Sequence, residues 1–585
     1  MTIVRWLRSV LTSRPASRTR PPAHRLVVEP LEDRITPSTG GLPDPTFGSG
    51  GQVLSSFSNN WDQANAVVAQ PDGKIVIAGI TTVPGSRTGS DFLVARYNAD
   101  GTLDTSFGNG GHTSTDFGNS PDKAEAVALQ PQADGTNKIL VAGQTATSKG
   151  ITEVALARYN ANGTLDTTFG NKGKVITSLG GSSGEWPTSM AVDSSGRILV
   201  AGYTNGNPNV SGDAATVLRY TANGTLDTSF GSGGKLITNI QVQPNADHSV
   251  GIAPQPDGKI VLGSTTLDPA TRTGEFVTAR FNANGTADST FGSGGKVTTH
   301  LGTFDEFGGV TVQGDGKIVV SGSESTGTSP FALYLLRYNA DGSLDTTFGT
   351  GGTVAVQAPD GNYIDPRGSG VAVQADGKIL AGGEFGDATG QLIDLAALRV
   401  NPDGSVDTGY GNGGWAMVPF ASADMQAIAL EPDGQLLLAG YGRPTSNTRP
   451  VDVALIRFTA DTTTTAAAPA IAATPATAPV TAGTASSPPS SAALASVSAI
   501  QPDEQDAIGT VTSPPSAVTT EAADQLFVDE DLNWLATTKQ RADALLVQRF
   551  DALLSMGAGS RTMDGSSNTT TRDLFFASLS SPNEG

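Results

Sequence analysis

The sequence predicts an all-β fold, a seven-bladed β-propeller of four-stranded blades. Three observations lead to this prediction: a phrase that occurs seven times, a tight turn between apolar runs in each repeat, which is Asp-Gly in six of the seven, and a composition rich in turn residues. The 585 residues include 72 glycines and 34 prolines, both of which disfavour helices, while only 16% of residues are charged. Many short strands joined by tight turns are therefore expected.

The repeated phrase sets the number of blades. It reads GTLDTSFGNGG from Gly101, and its aromatic residue recurs at spacings of 60, 62, 61, 61, 57 and 62 residues. Repeats of this kind are units of one architecture, not separate domains. The aromatic residues are Phe47, Phe107, Phe169, Phe230, Phe291, Phe348 and Tyr410.

Each unit carries four apolar runs, which we label strands a to d. In the first unit the run from Ala66 to Gly79, AVVAQPDGKIVIAG, predicts strands a and b joined by an Asp-Gly hairpin turn. The run from Asp91, DFLVARYNADG, predicts strand c, and the residues after each FGxGG predict strand d. No FGxGG motif follows the last unit, so we expect residues Gly51–Phe57 to supply its strand d and close the ring without an unpaired edge.

The repeated phrases also carry a family resemblance. LDxTFGxGG and QPDGKIxVAG resemble the delta-60 repeat of bacterial β-propeller-type proteins, and the resemblance covers all seven units, residues 42–461. It implies a β-propeller fold and no established reaction.

The N-terminal segment, residues 1–41, is predicted to be a basic, export-like or disordered tail. Its first 25 residues hold six arginines and no acid. The stretch RLVVEPLEDRITPS resembles the LEPR-XLL motif of exported or surface-associated bacterial proteins, which implies an extracellular or cell-surface location. The matching positions are Leu31, Glu32, Arg34 and Ser38.

The C-terminal region is predicted to be a stalk that carries a helix. Residues 462–524 form an Ala/Thr/Ser/Pro-rich linker, because a stretch so poor in large apolar residues cannot offset the entropy of ordering. Residues 525–557 are predicted to be an amphipathic helix, too polar to span a membrane, and residues 558–585 a disordered tail. The helix could dock on a partner or pack on the propeller.

Several classes of function are excluded or disfavoured. The chain has no cysteine and its four histidines are scattered. It has no GxSxG nucleophile elbow, since the one matching string, GGSSG at 180–184, lies between predicted strands d and a, and it has no phosphate-binding loop, so we assign no catalytic residue. A net charge of −20 argues against binding to nucleic acid.

The turn between strands c and d offers a choice between calcium and an ion pair. The NADGTLD stretch from Asn98 to Asp104 resembles the DxDGxxD core of calcium loops in integrin-like propeller repeats. However, Arg96 stands where such loops carry their first acid, and an arginine recurs there in every unit. We favour structural Arg/Asp pairs over calcium, and expect no other cofactor. The paired residues are Arg96 and Asp104, Arg158 and Asp166, Arg219 and Asp227, Arg280 and Asp288, Arg337 and Asp345, Arg399 and Asp407, and Arg457 and Asp44.

A second set of repeated acids lies just before strand a. Propeller geometry places this position at the mouth of the central channel, so we expect a ring of carboxylates that binds a cation or another ligand. Solvated turn acids are the alternative. The residues are Asp62, Asp122, Glu185, Asp247, Asp305, Asp365 and Asp424.

The loops between strands b and c differ in every unit, unlike the other repeated turns. Variable loops on a constant scaffold are usually the binding surface. The leading hypothesis is a non-enzymatic surface or secreted scaffold that binds a protein or carbohydrate through these loops and the acidic channel mouth. The alternatives are a propeller enzyme, a lyase or hydrolase, and a calcium-stabilised surface module.

Overall fold

A computed structural model describes residues 40–461, apart from short segments of this range. The N-terminal segment, the linker, the predicted C-terminal helix and the tail lie outside the described residues. The segments left out within the range are 59, 83–88, 119–120, 181–183, 206–211, 243–248, 269–270, 272, 303, 326–331, 358, 360–362, 366–369, 387–391, 420–422 and 443–450.

The described chain forms seven antiparallel sheets of four strands, which confirms the predicted propeller fold. In chain order the first strand is β1 (Gln52–Ser55). Blade 1 has β2 (Asp62–Ala69), β3 (Ile75–Thr82), β4 (Ser90–Tyr97) and β5 (His112–Thr115); blade 2 has β6 (Asp122–Pro131), β7 (Asn137–Ala146), β8 (Thr152–Tyr159) and β9 (Lys174–Thr177); blade 3 has β10 (Gly184–Val192), β11 (Ile198–Asn205), β12 (Ala214–Tyr220) and β13 (Lys235–Gln241).

The remaining blades repeat the order a, b, c, d. Strand a of blade 6 is split into two short pieces that both pair with strand b. Blade 4 has β14 (Val250–Pro254), β15 (Ile260–Leu267), β16 (Gly274–Phe281) and β17 (Lys296–Thr299); blade 5 has β18 (Phe304–Val312), β19 (Ile318–Ser325), β20 (Ala332–Tyr338) and β21 (Thr353–Gln357); blade 6 has β22 (Tyr363–Asp365), β23 (Val371–Val373), β24 (Ile379–Gly386), β25 (Leu392–Val400) and β26 (Trp415–Pro419); blade 7 has β27 (Ala423–Leu430), β28 (Leu436–Gly442) and β29 (Asp452–Phe458).

Blade 7 takes its fourth strand from the other end of the propeller. Strand β1 pairs antiparallel with β29, with Gln52 opposite Ile456 and Ser55 opposite Val453. The expected clasp is therefore confirmed, and the ring closes through hydrogen bonds between segments about 400 residues apart in the chain.

The hydrophobic core of the described residues lies between blades. It consists of seven clusters, each built from two neighbouring blades; one of them joins Ile77 and Leu93 of blade 1 to Leu437 and Leu455 of blade 7. Successive side chains of a strand point to opposite faces, so strands b and c are buried on both sides. This explains why their sequences are continuous apolar runs instead of alternating ones.

Strand a is the innermost strand and carries a bulge. Strands a of neighbouring blades contact one another around the whole ring. In blade 1 the register with strand b shifts between Ala64 and Ala66, and the bulge brings the Gln63 carbonyl towards Gly79. A Cβ at Gly79 would lie 1.9 Å from that oxygen, which explains why the b-strand motif must end in glycine. Matching register shifts occur in strands a of blades 2, 3, 5 and 7.

The described residues contain no helix long and apolar enough to cross a membrane.

The clasp yields a test within a single strand. Val53 of β1 packs on the cluster between blades 7 and 1, whereas its neighbour Leu54 is 44% exposed. We expect Val53→Asp to lower the free energy of unfolding by about 2–3 kcal/mol, because it puts a charge against apolar side chains. Leu54→Asp should change it by less than about 0.5 kcal/mol. Urea denaturation measures both, and equal losses would show that β1 does not pack as strand d.

Candidate functional site

The two faces of the propeller are built differently. One face carries the a–b and c–d turns, and we call it the repeated face because its sequences recur in every blade. On the opposite face strands b and d end and strands c and a begin, and we call it the variable face. The b–c loops that were predicted to bind a ligand lie outside the described residues over at least half of their length, except in blade 2. The Arg/Asp pairs lie on the repeated face, and the acids at the start of strand a lie towards the variable face.

On the repeated face, the structure brings each arginine at the end of strand c to the aspartate of the following turn. The arginines are almost fully buried, and each guanidinium also lies over the aromatic ring of its own FGxGG motif, 4.0 to 4.8 Å from the centroid. The N–O distances are 2.8 Å for Arg96 and Asp104, 2.9 Å for Arg158 and Asp166, 2.9 Å for Arg219 and Asp227, 2.7 Å for Arg280 and Asp288, 2.8 Å for Arg337 and Asp345, 2.8 Å for Arg399 and Asp407, and 2.8 Å for Arg457 and Asp44.

Each pair also reaches the next blade. Arg158 of blade 2 donates a second hydrogen bond to the carbonyl of Ala222, in the turn of blade 3, at 2.5 Å. In parallel, the N–H of Gly170 donates to the carbonyl of Asn223 in the same turn. Equivalent arginine contacts join blades 1 to 2, 3 to 4, 4 to 5, 5 to 6 and 7 to 1. The repeated face thus holds a belt of contacts that runs from blade to blade.

The belt needs glycine where two turns meet. Gly163 has φ +85°, and a Cβ there would lie 2.7 Å from the nitrogen of Gly108 in the preceding blade. Both the backbone conformation and the close approach exclude larger residues. The glycine of the Asn-Gly pair in one blade therefore packs against the glycine of the Phe-Gly pair in the preceding blade.

At the seam the belt is completed by the chain ends of the propeller. The N–H of Gly411 in blade 6 donates to Gly40, which stands beside the last strand because Gly41 donates to Thr459. Arg399 reaches the side chain of Asp461 at 2.8 Å, where the other arginines reach a carbonyl.

A lysine that the sequence analysis did not single out completes most of these sites. Lys74, from the DGK turn of blade 1, contacts Asp104 at 2.8 Å, and Ser106 donates to the other carboxylate oxygen at 2.6 Å. Burial disfavours the charge on Asp104, but these hydrogen bonds and Arg96 outweigh it and lower its pKa. The pKa of Asp166 falls to about 2 for the same balance of reasons. The available signal was a lysine that directly follows the Asp-Gly turn in blades 1, 4, 5 and 6 and comes three residues after its glycine in blade 2.

The hydrogen bonds and ion pairs of the repeated face also involve the turn from Asn98 to Asp104, which resembles a calcium loop. Asp100, the acid of the NADG stretch, accepts hydrogen bonds from the main chain and hydroxyl of Thr102, while Asp104 is held by Arg96 and Lys74. The oxygens of the proposed calcium loop are thus already used by neighbouring residues.

The expected acid ring is corrected by the structure. Four of its members, Asp62, Asp122, Glu185 and Asp305, are 0% exposed and do not line a solvent-filled mouth. They instead accept main-chain N–H groups from the connection after strand d. Asp247 and the side chain of Asp365 lie outside the described residues, so a ligand-binding role is untested for them.

The contacts of these acids are local and structural. Asp62 takes the N–H groups of Phe57 and Ser58, both at 2.7 Å, and thereby ties the clasp to strand a of blade 1. Asp305 does the same with Leu301 and Gly302. We call the buried acids that accept these N–H groups the caps. The sequence could not distinguish a cap from a solvated acid, because either kind would lie at the same distance in sequence from the a–b hairpin.

Burial has a strong effect on two of the caps. It raises the pKa of Asp305 to about 7, against hydrogen bonds from Leu301 and Gly302 that favour the charged form. It raises the pKa of Asp122 to about 6; the carboxylates of Asp116 and Asp91 add to the rise, while Thr145 opposes it.

The bulge in strand a supplies further buried polar groups that the sequence analysis missed. Asn65 donates to the carbonyl of Ala124 at 2.7 Å and to Glu125 at 3.1 Å, so it links strands a of blades 1 and 2. Burial raises the pKa of Glu125 to about 7 although Lys123 lies 3.1 Å away. Only the register shift reveals these positions, and no sequence signal marks them.

Two features of the variable face differ from blade to blade. Trp61 and Tyr441 pack with ring centroids 5.9 Å apart at the junction of blades 7 and 1, and both are partly exposed. The Tyr441 hydroxyl donates to Asp424 at 2.6 Å, so this ring acid, unlike the buried four, sits beside an accessible aromatic pair. At the next junction, one carboxylate oxygen from each of Asp91, Asp116 and Asp122 lies within 4.8 Å of the others. It is the one such group of metal-ligating side chains in the described part of the chain.

The buried pairs of the repeated face can be tested by removing one partner. We expect Asp288→Ala to lower the free energy of unfolding by about 3–5 kcal/mol, because Arg280 would be left buried without its carboxylate. Asp257→Ala is the control in the same blade; that side chain is 57% exposed and its contact with Lys259 is long, so a loss below about 1 kcal/mol is expected. Denaturant unfolding compares them, and a small loss for Asp288→Ala would contradict the role given to the pair.

The raised pKa of Asp305 predicts a pH dependence. Between its ordinary value of 3.8 and about 7, only the folded state holds the proton. The contribution of this group to stability is therefore full below pH 3.8, falls progressively as the pH rises to about 7, and is absent at pH 8. We expect Asp305→Asn to reduce the difference in Tm between pH 5 and pH 8, and the exposed control Asp257→Asn to leave it unchanged. If the Tm of Asp305→Asn changes between pH 5 and pH 8 as much as that of the wild type, the carboxyl of Asp305 does not cause the pH dependence.

Comparison with protein families supports the repeat architecture. A β-propeller domain of unknown function, DUF5122, matches six segments, each running from an a–b turn to the aromatic residue of the next FGxGG motif. A β-propeller repeat model matches residues 176–208. The six segments are 70–107, 132–169, 194–230, 255–291, 313–348 and 374–410.

Solved structures with similar chains are distant. A protein of unknown function from Dyadobacter fermentans is 12% identical and covers 71% of this chain and 100% of its own, with a TM-score of 0.36. The β-propeller domain of the Trilobed protease from Pyrococcus furiosus is 10% identical, with coverages of 68% and 93% and a TM-score of 0.36. An α-L-arabinofuranosidase of Fusarium graminearum is 12% identical, with coverages of 70% and 97% and a TM-score of 0.37.

Similarity at this level carries no inference about activity. A search of curated proteins finds no match. The seven blades and the matching repeat models identify the chain as a β-propeller repeat protein.

Proposed function

We propose that the protein is a non-enzymatic binding scaffold, exported or displayed at the cell surface, whose ligand-binding surface is the variable face. The observation that carries the proposal is the contrast between the two faces. The polar groups of the repeated face bind one another in every blade. On the variable face, two described junctions bear different side chains, an aromatic pair between blades 7 and 1 and three carboxylates between blades 1 and 2.

The aromatic pair at the junction of blades 7 and 1 supports a carbohydrate ligand over the protein alternative. Aromatic rings stack on the C–H faces of sugars, and Trp61 and Tyr441 offer partly exposed rings. Asp424 lies beside them as a hydrogen-bond acceptor for hydroxyl groups. The neighbouring Gln63 accepts from Trp61 at 3.2 Å, and its amide nitrogen has no partner in the described structure.

The enzyme alternative has less support from the described residues. Its lyase or hydrolase would need an accessible acid or base with a shifted pKa at the channel mouth. Asp122 and Asp305 have raised pKa values, but both are 0% exposed and accept main-chain N–H groups. Their buried carboxyl groups are therefore not exposed as an acid or base for a substrate.

The export part of the proposal rests on the N-terminal resemblance alone. Fractionation of the native bacterial host, with an antibody against the propeller, tests it separately from binding.

Binding is tested with a panel of soluble neutral and acidic polysaccharides. We expect the wild type to bind at least one of them and Trp61→Ala to bind it at least about tenfold more weakly, as truncating a central aromatic contact commonly does. Asp257→Asn, on the repeated face, is the control and should bind like the wild type. Tryptophan fluorescence and affinity electrophoresis measure binding.

Two outcomes contradict the proposal. If no polysaccharide binds, or if Trp61→Ala binds as well as the wild type, the junction of blades 7 and 1 is not a carbohydrate site. If new reducing or unsaturated ends accumulate during incubation, the protein is an enzyme and the non-enzymatic assignment fails.

A further inference from the structure

Three carboxylates meet where blade 1 joins blade 2 on the variable face. Asp91 lies at the start of strand c, Asp116 directly follows strand d, and Asp122 begins strand a of the next blade. One oxygen from each lies within 4.8 Å of the other two. Asp116 is exposed, so the group is open to solvent on one side.

Asp122 brings a buried oxygen without a hydrogen bond to this group. The residue is 0% exposed; Oδ2 accepts the N–H of Phe117 at 2.6 Å, and Oδ1 has no partner. In blade 1 the equivalent oxygen of Asp62 accepts the hydroxyl of Thr81 at 2.6 Å. Thr145 stands opposite Asp122 as Thr81 stands opposite Asp62, but Oδ1 of Asp122 has no hydrogen bond of ordinary geometry. An unsatisfied buried carboxylate oxygen is costly, and a cation is one way to satisfy it.

Comparison with other junctions shows that Asp116 is the unusual member. Asp116 is the residue directly after strand d, and in the other junctions whose strand d has the same length this position is occupied by Ser56, Ser178 and His300. Ser178 donates to the cap Glu185 at 3.3 Å, and His300 lies 3.8 Å from the cap Asp305. Where those junctions place a donor beside the buried acid, this one places a third carboxylate.

Two members of the group, Asp116 and Asp122, have no cationic partner among the described residues. Lys174 comes close, but its ammonium donates to the main-chain oxygen of Asp116 and lies over the ring of Phe117.

We propose that Asp91, Asp116 and Asp122 bind a calcium ion, which ties the outer strands of blade 1 to strand a of blade 2. Calcium takes carboxylate oxygens at about 2.3–2.6 Å, so ligands on opposite sides of one ion lie up to about 5 Å apart, as these oxygens do. Magnesium requires shorter bonds and a regular octahedron, which three carboxylates on separate strands are poorly placed to build. This site is distinct from the NADG turn of the repeated face and independent of carbohydrate binding.

The test uses two substitutions that the protein already contains at equivalent positions. Asp116→Ser copies Ser56 and Ser178, and should fold while losing one ligand. Asp100→Asn copies the asparagine of the NADG turn in blades 2, 3 and 4, and probes the calcium loop on the opposite face. Calcium chloride alone is titrated into the chelator-treated full-length protein by calorimetry, and the Tm is measured in calcium and in chelator.

We expect the wild type and Asp100→Asn to bind calcium with Kd no weaker than about 1 mM and to gain Tm from it. Asp116→Ser should bind at least about tenfold more weakly, since affinity follows the number of charged ligands, and its Tm should not respond to calcium. In chelator its Tm should equal or exceed that of the wild type, because one of three repelling carboxylates is gone. A wild type indifferent to calcium, or an Asp116→Ser variant that binds like the wild type, overturns the proposal; loss of binding in Asp100→Asn moves the site to the NADG turn.

Discussion

The buried guanidinium of the repeated face is the interaction on which the rest of the propeller depends. Each arginine is held by its own aspartate and stacks on its own aromatic ring. From that fixed position it donates to a turn of the following blade, and a glycine N–H beside it donates to the same turn. The position of the c–d turn in one blade is therefore coupled to the position of the c–d turn in the following blade.

This arrangement costs the desolvation of seven ion pairs, so its net contribution to stability is smaller than the number of its contacts implies. Its consequence for the fold is geometric. Apolar clusters between blades would tolerate some sliding, because burial has no direction. The arginine contacts add directional hydrogen bonds between neighbouring blades, and Asp44, on the N-terminal side of the clasp, completes the last pair.

The blades and the Arg/Asp pairs could be predicted because their motifs recur in every unit. The clasp could be predicted because the last unit lacks a strand d and the segment before the first unit supplies one. The acid before strand a is also repeated, yet its environment was not predictable. Strand a contains a bulge, and only the resulting register shows that Asp62 and Asp305 point into the blade to accept N–H groups. The meeting of Asp91 and Asp116 depends on how strands c and d end beside the next blade, which no spacing reports. Sequence repetition thus identifies the scaffold, and the departures from repetition, such as Trp61 and Asp116, identify the candidate sites.

The central claim is that the belt makes seven blades one cooperative ring, and native-state hydrogen exchange tests it most directly. The reporters are the glycine N–H groups that cross between blades, including those of Gly108, Gly231 and Gly411. If the account is right, these amides exchange only through global unfolding, with the same free energy at every junction and at the clasp. If the amides at one junction exchange through local opening at a much lower free energy, the ring is not held by the belt, and the account is contradicted.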